Sequence, residues 1–473
     1  MISEAISIDV FAPATSRKLG TVPFTSPTDV AAIVGRAKAA QGAWAALRST
    51  ERAAIVEKAA GIIEQHSEEW ARLLSEESGK ILAQARFEMT FSAALARGNA
   101  QRLRSMSGEL LPTQSQESTA DDVAWVRRVP LGVVAAVLPF NFPVELFIEK
   151  AAAALCMGNA VIVKPPDQDP LAVLQAVGAF HKAGVPTDVL AAVTGDRSTG
   201  ASLCADPRIA AVSLTGSTTA GLSVAGSPVL RRLHLELGGN DAAILCRDAD
   251  LDLAVPDLVF GRTLMNGQAC ASNKRILVHR SLAAELVERL GGALSRLPVG
   301  DPLDPASALG PLISAAAATK VAGQVARALQ QGARLAAGTA QARGAYFSPC
   351  VLDAVPPTAD VARDDEIFGP VLTCIAFDTE AEAVGIANQS SYGLSGCVFS
   401  RDWARALRIA DRMECGGVVV NGTGNYRPAF VPFGGVKQSG LGREGLGFTL
   451  DEMSQSKYTV LRRIRRPAEE GAT

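Results

Sequence analysis

Apolar residues at helical spacing dominate residues 26–107. This stretch is rich in alanine, leucine, glutamate and arginine, and apolar side chains recur every three or four positions, as at Ile55, Ala59 and Ile62. Such spacing places the apolar side chains on one face of a helix. The pattern therefore predicts that the first part of the chain is helical.

Short apolar runs alternate with helical stretches in the next part of the chain. Residues 133–138 and 160–163 are continuous apolar runs, and the alanine-rich residues 145–157 between them have a helical composition. The same alternation continues through residues 190–193 and 210–214. Continuous apolar runs are typical of parallel strands buried on both faces, and strand–helix alternation is typical of doubly wound sheets. The predicted fold class is α/β.

A second alternating stretch covers residues 242–430, and separate strands are predicted at residues 123–128 and 457–461. The chain has 473 residues, which is too long for one ordinary core. We therefore expect about three domains or sub-domains.

Composition and charge narrow the class of protein. The hydrophobic content of 48% and the charged content of 20% are those of a soluble globular protein. The N-terminus lacks the basic start and apolar stretch of a secretory signal, and no apolar run approaches the roughly 20 residues of a membrane span. The formal net charge is −2, so binding to nucleic acid or to an anionic membrane is not expected. We expect a cytoplasmic protein.

Eight cysteines and four histidines are scattered along the chain. The lack of a Cys-x-x-Cys pair argues against a structural zinc site and against a disulfide framework, and no metal site is predicted. Most of the thiols are expected to behave as small core hydrophobes. Cys270 differs, because polar Ser272, Asn273 and Lys274 follow it, as in a loop at a functional site.

Three motifs combine the residue types that acyl chemistry requires. They are PFNFP centred on Asn141, ELGG beginning at Glu236, and GQAC ending at Cys270. Cysteine is a strong nucleophile near neutral pH, glutamate can activate a water molecule, and an asparagine amide can donate to a developing oxyanion. This set of residues suits chemistry through a thioester.

With EIFGP beginning at Glu366 and PFGGVK beginning at Pro432, the series of motifs resembles the aldehyde dehydrogenase superfamily from about Pro23 to about Tyr458. The resemblance implies a Rossmann-type NAD(P)-binding domain in residues 1–111 and 131–236 and an α/β catalytic domain in residues 237–432. It also implies a small β oligomerisation element in residues 112–130 and 453–473. Strands such as the one near Tyr458 complete a neighbouring subunit's sheet in that family, so a homodimer or homotetramer is expected.

The resemblance implies a reaction and the residues that carry it. The Cys270 thiolate would attack an aldehyde, Asn141 would hold the oxyanion, and Glu236 would activate the water that hydrolyses the thioester. Lys150 and Glu444 match a possible proton path near this base. Relatives that pass the acyl group to coenzyme A tend to lack such a base, so hydrolysis is preferred. A coenzyme A-acylating enzyme and a silent scaffold remain alternatives, because fold alone does not fix function.

The predicted cofactor site follows an apolar strand and opens a helix, where free backbone N–H groups favour a phosphate. Gly216 and Ser217 form this turn, which departs from the Gly-x-Gly-x-x-Gly fingerprint. Lys164 ends a predicted strand. In the resembled family, the matching lysine contacts the adenosine ribose of the cofactor. Asp167 would repel a 2′-phosphate, which favours NAD, while NADP stays possible. The resemblance also implies contacts to the nicotinamide ribose and ring from Glu366 and Phe368.

The expected substrate is a small aldehyde, and its class stays open. Arg427 lies in a loop ahead of Phe433 that resembles the lactaldehyde, phosphonoacetaldehyde and semialdehyde branches of the family. Arginine suits an anionic or hydroxylated substrate. Ala269 stands where several of those relatives carry arginine, which weakens the case for a strongly anionic substrate. The family's alignment would have Phe91 and Phe142 line the tunnel, which leaves an aromatic or apolar aldehyde as the alternative.

Overall fold

The computed structural model describes residues 7–464. Residues 1–6 of the predicted cofactor domain and residues 465–473 of the predicted oligomerisation element lie outside the described part. The helices are α1 (Pro27–Ala46), α2 (Ser49–Gln65), α3 (Ser67–Ser78), α4 (Leu82–Ser105), α5 (Pro143–Cys156), α6 (Leu171–Ala183), α7 (Arg197–Ala205), α8 (Thr218–Ala225), α9 (Leu251–Thr263), α10 (Arg280–Leu294), α11 (Ala315–Gln330), α12 (Glu380–Asn388), α13 (Trp403–Ala410) and α14 (Phe448–Glu452).

The strands are β1 (Ser7–Phe11), β2 (Lys18–Pro23), β3 (Glu109–Leu111), β4 (Val123–Pro130), β5 (Val133–Val137), β6 (Ala160–Lys164), β7 (Leu190–Ala192), β8 (Ile209–Thr215), β9 (Arg232–Glu236), β10 (Ala242–Leu245), β11 (Arg275–His279), β12 (Arg334–Ala337), β13 (Ala342–Arg343), β14 (Tyr346–Phe347), β15 (Cys350–Asp353), β16 (Val371–Phe377), β17 (Tyr392–Gly393), β18 (Ser395–Phe399), β19 (Gly417–Val420), β20 (Val436–Lys437), β21 (Gly440–Leu441) and β22 (Ser454–Leu461). Alternating strands and helices confirm the predicted α/β class, and helices α1 to α4 confirm the predicted helical segment.

The first large sheet has six strands in the order β21-β9-β8-β5-β6-β7. All of its pairings are parallel except β21 with β9. Both faces are covered, because Val134 belongs to one hydrophobic core and its neighbour Val133 to another. The chain moves outward from β5 to β7 on one side and from β8 to β9 on the other. The carboxyl ends of β5 and β8 therefore form a topological switch point, where doubly wound sheets bind ligands.

The second large sheet has seven strands in the order β12-β15-β16-β11-β10-β18-β19. It is parallel except for the pairing of β12 with β15. Ile244 and Leu245 of β10 face separate hydrophobic cores, so helices cover this sheet on both faces as well. Two α/β units thus lie next to each other along the chain.

A three-stranded antiparallel sheet, in the order β22-β4-β3, stands apart from both units. Strand β22 pairs with β4 along its whole length, from Ser454 opposite Pro130 to Leu461 opposite Val123. Strand β3 begins at Glu109, ahead of the predicted boundary at residue 112. Before reaching β22 the chain returns to the six-stranded sheet, where β21 pairs with β9.

Within residues 7–464, no helix is both long enough and apolar enough to cross a membrane. The same residues contain no group of three or more His, Cys, Asp or Glu side chains arranged to hold a metal ion.

Candidate active site

The loop that precedes Cys270 has an unusual backbone. Met265 and Asn266 have φ angles of 51° and 56°, in the left-handed region that non-glycine residues rarely adopt. The buried Asn266 side chain donates to the Gly79 carbonyl at 3.0 Å and accepts from the Gly310 amide at 2.8 Å. Such backbone strain persists only where the surroundings hold it in place, and it concentrates at functional sites.

Arg262, at the end of α9, joins this loop to the loop that carries Glu366. Its fully buried guanidinium donates to the carbonyl oxygens of Gly267, Ile367 and Val371 at 3.2, 2.7 and 2.6 Å, and to the Ser272 hydroxyl at 2.8 Å. Burial lowers the pKa of Arg262 to about 9. A Cβ at Gly267 would lie 2.2 Å from the carbonyl carbon of Gly369. The GQAC and EIFGP motifs are therefore packed directly against each other.

Cys270 is partly exposed, whereas all the other cysteines except Cys415 are buried. The buried Lys274 donates to the Cys270 carbonyl oxygen, and its ammonium lies 3.1 Å from the Glu366 carboxylate. Burial raises the pKa of the Cys270 thiol to about 12, although the positive charges of Lys274 and Arg427 oppose this. Burial therefore favours the neutral thiol of Cys270, and a base must remove its proton before it can attack.

Asn141 lies in the loop after β5 and is buried. Its side-chain amide donates to the Gln268 carbonyl oxygen at 2.8 Å, which brings it against the loop of Cys270. Its own carbonyl oxygen accepts from the Lys80 ammonium at 2.7 Å. Both ends of Asn141 are therefore held, and its amide points at the nucleophile loop.

The Lys80–Glu88 pair supports this loop. The two side chains form an ion pair and are each 1% exposed. Glu88 also accepts from the backbone amides of Val144 at 2.9 Å and Glu145 at 3.2 Å, at the start of α5. It thereby satisfies helix N–H groups that have no partner within the helix. This pair could not be predicted from the sequence, because its two residues are not at helical spacing and carry no motif.

Glu236 is the last residue of β9 and is buried. Neither carboxylate oxygen has a hydrogen-bond partner in the part of the chain that the structure describes. Burial raises its pKa well above the usual range, and the charge of Glu444 adds to this, while Arg427 and Lys150 act in the opposite direction. A carboxyl group in this setting is suited to accept a proton near neutral pH.

Glu444 lies at the centre of a buried charge network. Its carboxylate is 2.8 Å from the Lys150 ammonium and 2.6 Å from the Arg427 guanidinium. Burial opposes ionisation of Glu444, but the two cations outweigh it and hold its pKa at about 2. Lys150 and Glu444 are thus a direct ion pair. Among residues 7–464, no hydrogen bond connects them to Glu236.

Arg427 is less free than the sequence suggested. Besides Glu444, its guanidinium lies 3.7 Å from the Glu145 carboxylate and 4.1 Å from the centre of the Phe433 ring. Burial lowers the pKa of Arg427, but the carboxylates outweigh it and raise the pKa above its usual value. The predicted tunnel residues are partly buried and lie on separate elements: Phe142 follows Asn141, and Phe91 lies on α4, stacked on Phe87.

The turn after β8 has the features of a phosphate site. Gly216 leads into α8, and the Ser217 hydroxyl caps this helix by accepting from the Ala220 amide at 3.2 Å. The hydroxyl oxygens of Thr215 and Thr218 are buried without a hydrogen-bond partner inside the described region. Unpaired hydroxyls beside a helix N-terminus at the switch point fit a phosphate-bearing cofactor.

The other predicted cofactor residues lie in both α/β units. Lys164 ends β6 and is buried, which lowers its pKa, while the exposed Asp167 raises it. From the second unit, the Glu366 carboxylate accepts from the Gly239 amide at 3.3 Å. Phe368 meets Phe140, from the loop after β5, edge to face with ring centres 6.0 Å apart. Residues of the two units thus contact each other beside the carboxyl end of β5.

Comparison with known proteins agrees with this geometry. The sequence profile of the Aldehyde dehydrogenase family matches residues 2–459. Vanillin dehydrogenase of Amycolatopsis is 38% identical and covers 96% of this chain and 93% of its own length. Succinate-semialdehyde dehydrogenase [NADP(+)] of Escherichia coli is 36% identical, with 96% and 94% covered. The NADP-dependent glyceraldehyde-3-phosphate dehydrogenase of Bacillus halodurans, solved with NADP, superposes with a TM-score of 0.94 at 36% identity, with 97% and 96% covered. The chain therefore belongs to the aldehyde dehydrogenase family, as its motifs predicted, and is an NAD(P)-dependent enzyme.

Proposed function

We propose that this enzyme oxidises an aldehyde to the free carboxylic acid through a thioester on Cys270. The observation that carries the proposal is the buried Glu236 carboxyl group, which has no hydrogen-bond partner in the described residues. Its charge is close enough to raise the pKa of the Cys270 thiol. A base held without a partner beside a nucleophile suits two proton transfers, one from the thiol and one from water.

The first step forms a bond between the Cys270 sulfur and the aldehyde carbon. The thiol proton moves to Glu236, the thiolate attacks, and the carbonyl π electrons move onto oxygen. The Asn141 side-chain amide and the Cys270 backbone N–H donate to this oxyanion. Asn141 is suited to the role because Lys80 and Gln268 fix it in advance. Loss of one such donor typically lowers kcat by about 10²–10³-fold.

The second step returns the oxyanion electrons to the carbonyl and expels the hydrogen as hydride, which leaves a thioester. When bound, NAD(P) would supply the acceptor for that hydride. Gly216, Ser217 and Lys164 would hold its phosphate and adenosine end, and Glu366 and Phe368 its nicotinamide end. Asp167 favours NAD, because its carboxylate repels a 2′-phosphate.

Glu236 first releases the thiol proton to solvent. In the last step it removes a proton from water, and the hydroxide oxygen bonds to the thioester carbon. The carbon–sulfur bond then breaks, which releases the acid and regenerates the thiolate. Glu236 must return its proton before the next cycle. The Lys150–Glu444 pair lies near enough to influence the pKa of Glu236, so we propose it as the proton path, with water bridging the remaining gap.

The three sheets divide this work. The six-stranded unit would bind the cofactor, and the seven-stranded unit would supply the nucleophile. The three-stranded sheet would assemble a homodimer or homotetramer, a role supported by the exposure of Leu110 (73%) and Tyr458 (72%) on its surface. Apolar side chains exposed on an open sheet mark an interaction surface.

Formation of NADH and NADPH with a panel of aldehydes tests the proposal. Cys270→Ala should abolish turnover, whereas Cys415→Ala, at the other partly exposed cysteine, should retain it. Glu236→Gln should form the acyl-enzyme more slowly than the wild type, release no more than one equivalent of reduced cofactor per site, and then stop. Sustained turnover in Glu236→Gln, or wild-type turnover that requires coenzyme A, would contradict hydrolysis through this base.

A further inference from the structure

Arg427 and Glu145 are the exposed end of the buried charge network. Their side chains are 23% and 12% exposed, whereas those of Lys150 and Glu444 are 0% and 1% exposed. The interior members are closed off, and only the Arg427–Glu145 pair can meet a bound molecule. Arg427 also lies near the reacting centre, because Glu145, 3.7 Å from its guanidinium, stands in the first turn of α5, directly after the loop of Asn141.

Glu145 has unused bonding capacity. Its backbone amide donates to Glu88, which fixes the start of α5 and therefore the base of the side chain. Its carboxyl group lies 3.7 Å from the Arg427 guanidinium, which is too long for a hydrogen bond. Within the described residues no donor hydrogen-bonds to this carboxyl group. One hydrogen-bond acceptor therefore stands free at the site.

Arg427 has unused donors as well. Its guanidinium carries five N–H groups in a fixed fork, and its one hydrogen bond in the described region goes to Glu444. The carboxylates of Glu444 and Glu145 both face Arg427, although Glu444 is shared with Lys150. Burial raises the pKa of Glu145 to about 7, and above that pH its carboxylate would repel a substrate carboxylate bound at Arg427. This argues against the anionic substrate that the sequence left open.

A hydroxyl group complements this arrangement. It can accept from a guanidinium N–H and donate to a carboxylate at the same time, and hydrogen bonds to charged partners are the stronger kind. Phe433, stacked under Arg427, adds an apolar surface beside the pair. We propose that the Arg427–Glu145 pair selects uncharged aldehydes that bear a hydroxyl group, with Glu145 as the specificity-determining residue. This proposal rests on the reaction assigned above to Cys270.

Matched aldehydes test it. One series is benzaldehyde, 3-hydroxybenzaldehyde, 3-carboxybenzaldehyde and 3-(trimethylammonio)benzaldehyde, and a second is propanal and 3-hydroxypropanal. In at least one series the hydroxylated aldehyde should exceed its unsubstituted partner in kcat/KM by about tenfold or more. In the aromatic series it should also exceed the carboxylated and the cationic aldehyde.

Variants of Glu145 locate the effect. Glu145→Leu should remove the preference for the hydroxylated aldehyde, and the loss should appear in KM rather than in kcat. Glu145→Gln, which keeps an acceptor, should retain part of the preference and improve the relative use of the carboxylated aldehyde. The matched control is Glu149→Gln, one turn along α5, where the carboxyl group already accepts from Gly445 and Thr449. This control should leave the substrate ratios unchanged.

The outcomes separate this proposal from the assigned reaction. Cys270-dependent turnover without a hydroxyl preference in either series would overturn the proposal and leave the reaction in place. A cationic aldehyde preferred over the hydroxylated one would overturn it in favour of a cation site. An equal loss of the kcat/KM ratio between hydroxylated and unsubstituted aldehyde in Glu145→Leu and Glu149→Gln would also overturn it. The effect would then come from any change in α5 and not from Glu145. No turnover with any of the aldehydes would overturn both the hydroxyl preference and the assigned reaction.

Discussion

The active site has two buried lysine–glutamate pairs, Lys80–Glu88 and Lys150–Glu444, which differ in the groups that surround them. The Lys80–Glu88 pair also bonds backbone groups, the carbonyl of Asn141 and the amides at the start of α5. In the Glu444 network, formed by Lys150, Glu444, Arg427 and Glu145, the charged groups bond, within residues 7–464, only one another's side chains. Next to this network the Glu236 carboxyl group has no hydrogen-bond partner among the described residues. The first pair fixes geometry, and the second sets the charge around a reactive group.

The difference shows what a buried charge contributes. A charge removed from water is costly unless hydrogen bonds satisfy it. Lys80 and Glu88 are satisfied, so they stabilise one arrangement of the Asn141 loop. The Glu236 carboxyl group has no such hydrogen bonds. This costs stability, but it raises the proton affinity of Glu236 towards that of a general base. The following predictions test this contrast, beginning with the largest expected effect.

Glu236→Gln is expected to lower steady-state kcat by about 10²–10⁴-fold, because a general base is lost. The thermal midpoint should stay the same or rise, because a neutral amide replaces an unpaired buried carboxyl group. Parallel kinetics and calorimetry check both parts. Alkylation of Cys270 by iodoacetamide serves as the control for an intact site. A fall in the midpoint would show that Glu236 is a structural residue like Glu88.

Lys80→Met is expected to lower the free energy of unfolding by about 3–5 kcal/mol, because Glu88 is then a buried charge without its cation. Denaturant unfolding measures the loss. The double variant Lys80→Met/Glu88→Gln should recover part of this stability, since the amide can still accept from the start of α5. A single variant as stable as the wild type would mean that the pair does not fix the loop.

Opposite pH dependence is expected for Glu444→Gln and Glu236→Gln. The pKa of Glu444 is held at about 2, below its unfolded value of 4.5. Its ionic contribution to stability is therefore present above pH 4.5 and disappears as the pH falls towards 2. The stability deficit of Glu444→Gln should shrink over that range.

For Glu236 the sign is reversed. Its folded pKa is raised above 4.5, so the wild type should lose stability relative to Glu236→Gln as the pH rises above that value. Unfolding of both variants and wild type across a pH series provides the measurement. Parallel curves for the three proteins would remove the distinction between the paired and the unpaired carboxyl group.

Lys150→Met is expected to have the smallest effect on catalysis, while loss of the cation beside the buried Glu444 also lowers the free energy of unfolding. The Lys150 charge lowers the pKa of Glu236, so its removal should raise that pKa and shift the rising limb of kcat against pH upward by about one pH unit. A pH–rate profile measures the shift, and Lys58→Met, at an exposed lysine of helix α2, is the control. A profile that does not move would exclude Lys150 from the surroundings of the base.

The sequence predicted elements well where the signal is local. Helical spacing in residues 26–107 and the apolar runs of β5 and β6 depend on neighbours a few positions away, and the structure confirms them. Strand pairings between distant parts of the chain carry no such local signal. The return of the chain to the six-stranded sheet through β21 depends on pairing with β9, far away in sequence, and no local pattern carries that information.

The sequence by itself determined the family, the α/β fold and the candidates Cys270, Glu236 and Asn141, because motifs and periodicity are short-range properties of the chain. Only the tertiary structure decided which charges meet. Arg427 is bound by Glu444 and Glu145, and Lys80 reaches Asn141 across a long stretch of sequence. The physical reason is that the energy of a buried charge depends on its surroundings in three dimensions, which the packing of helices and sheets creates.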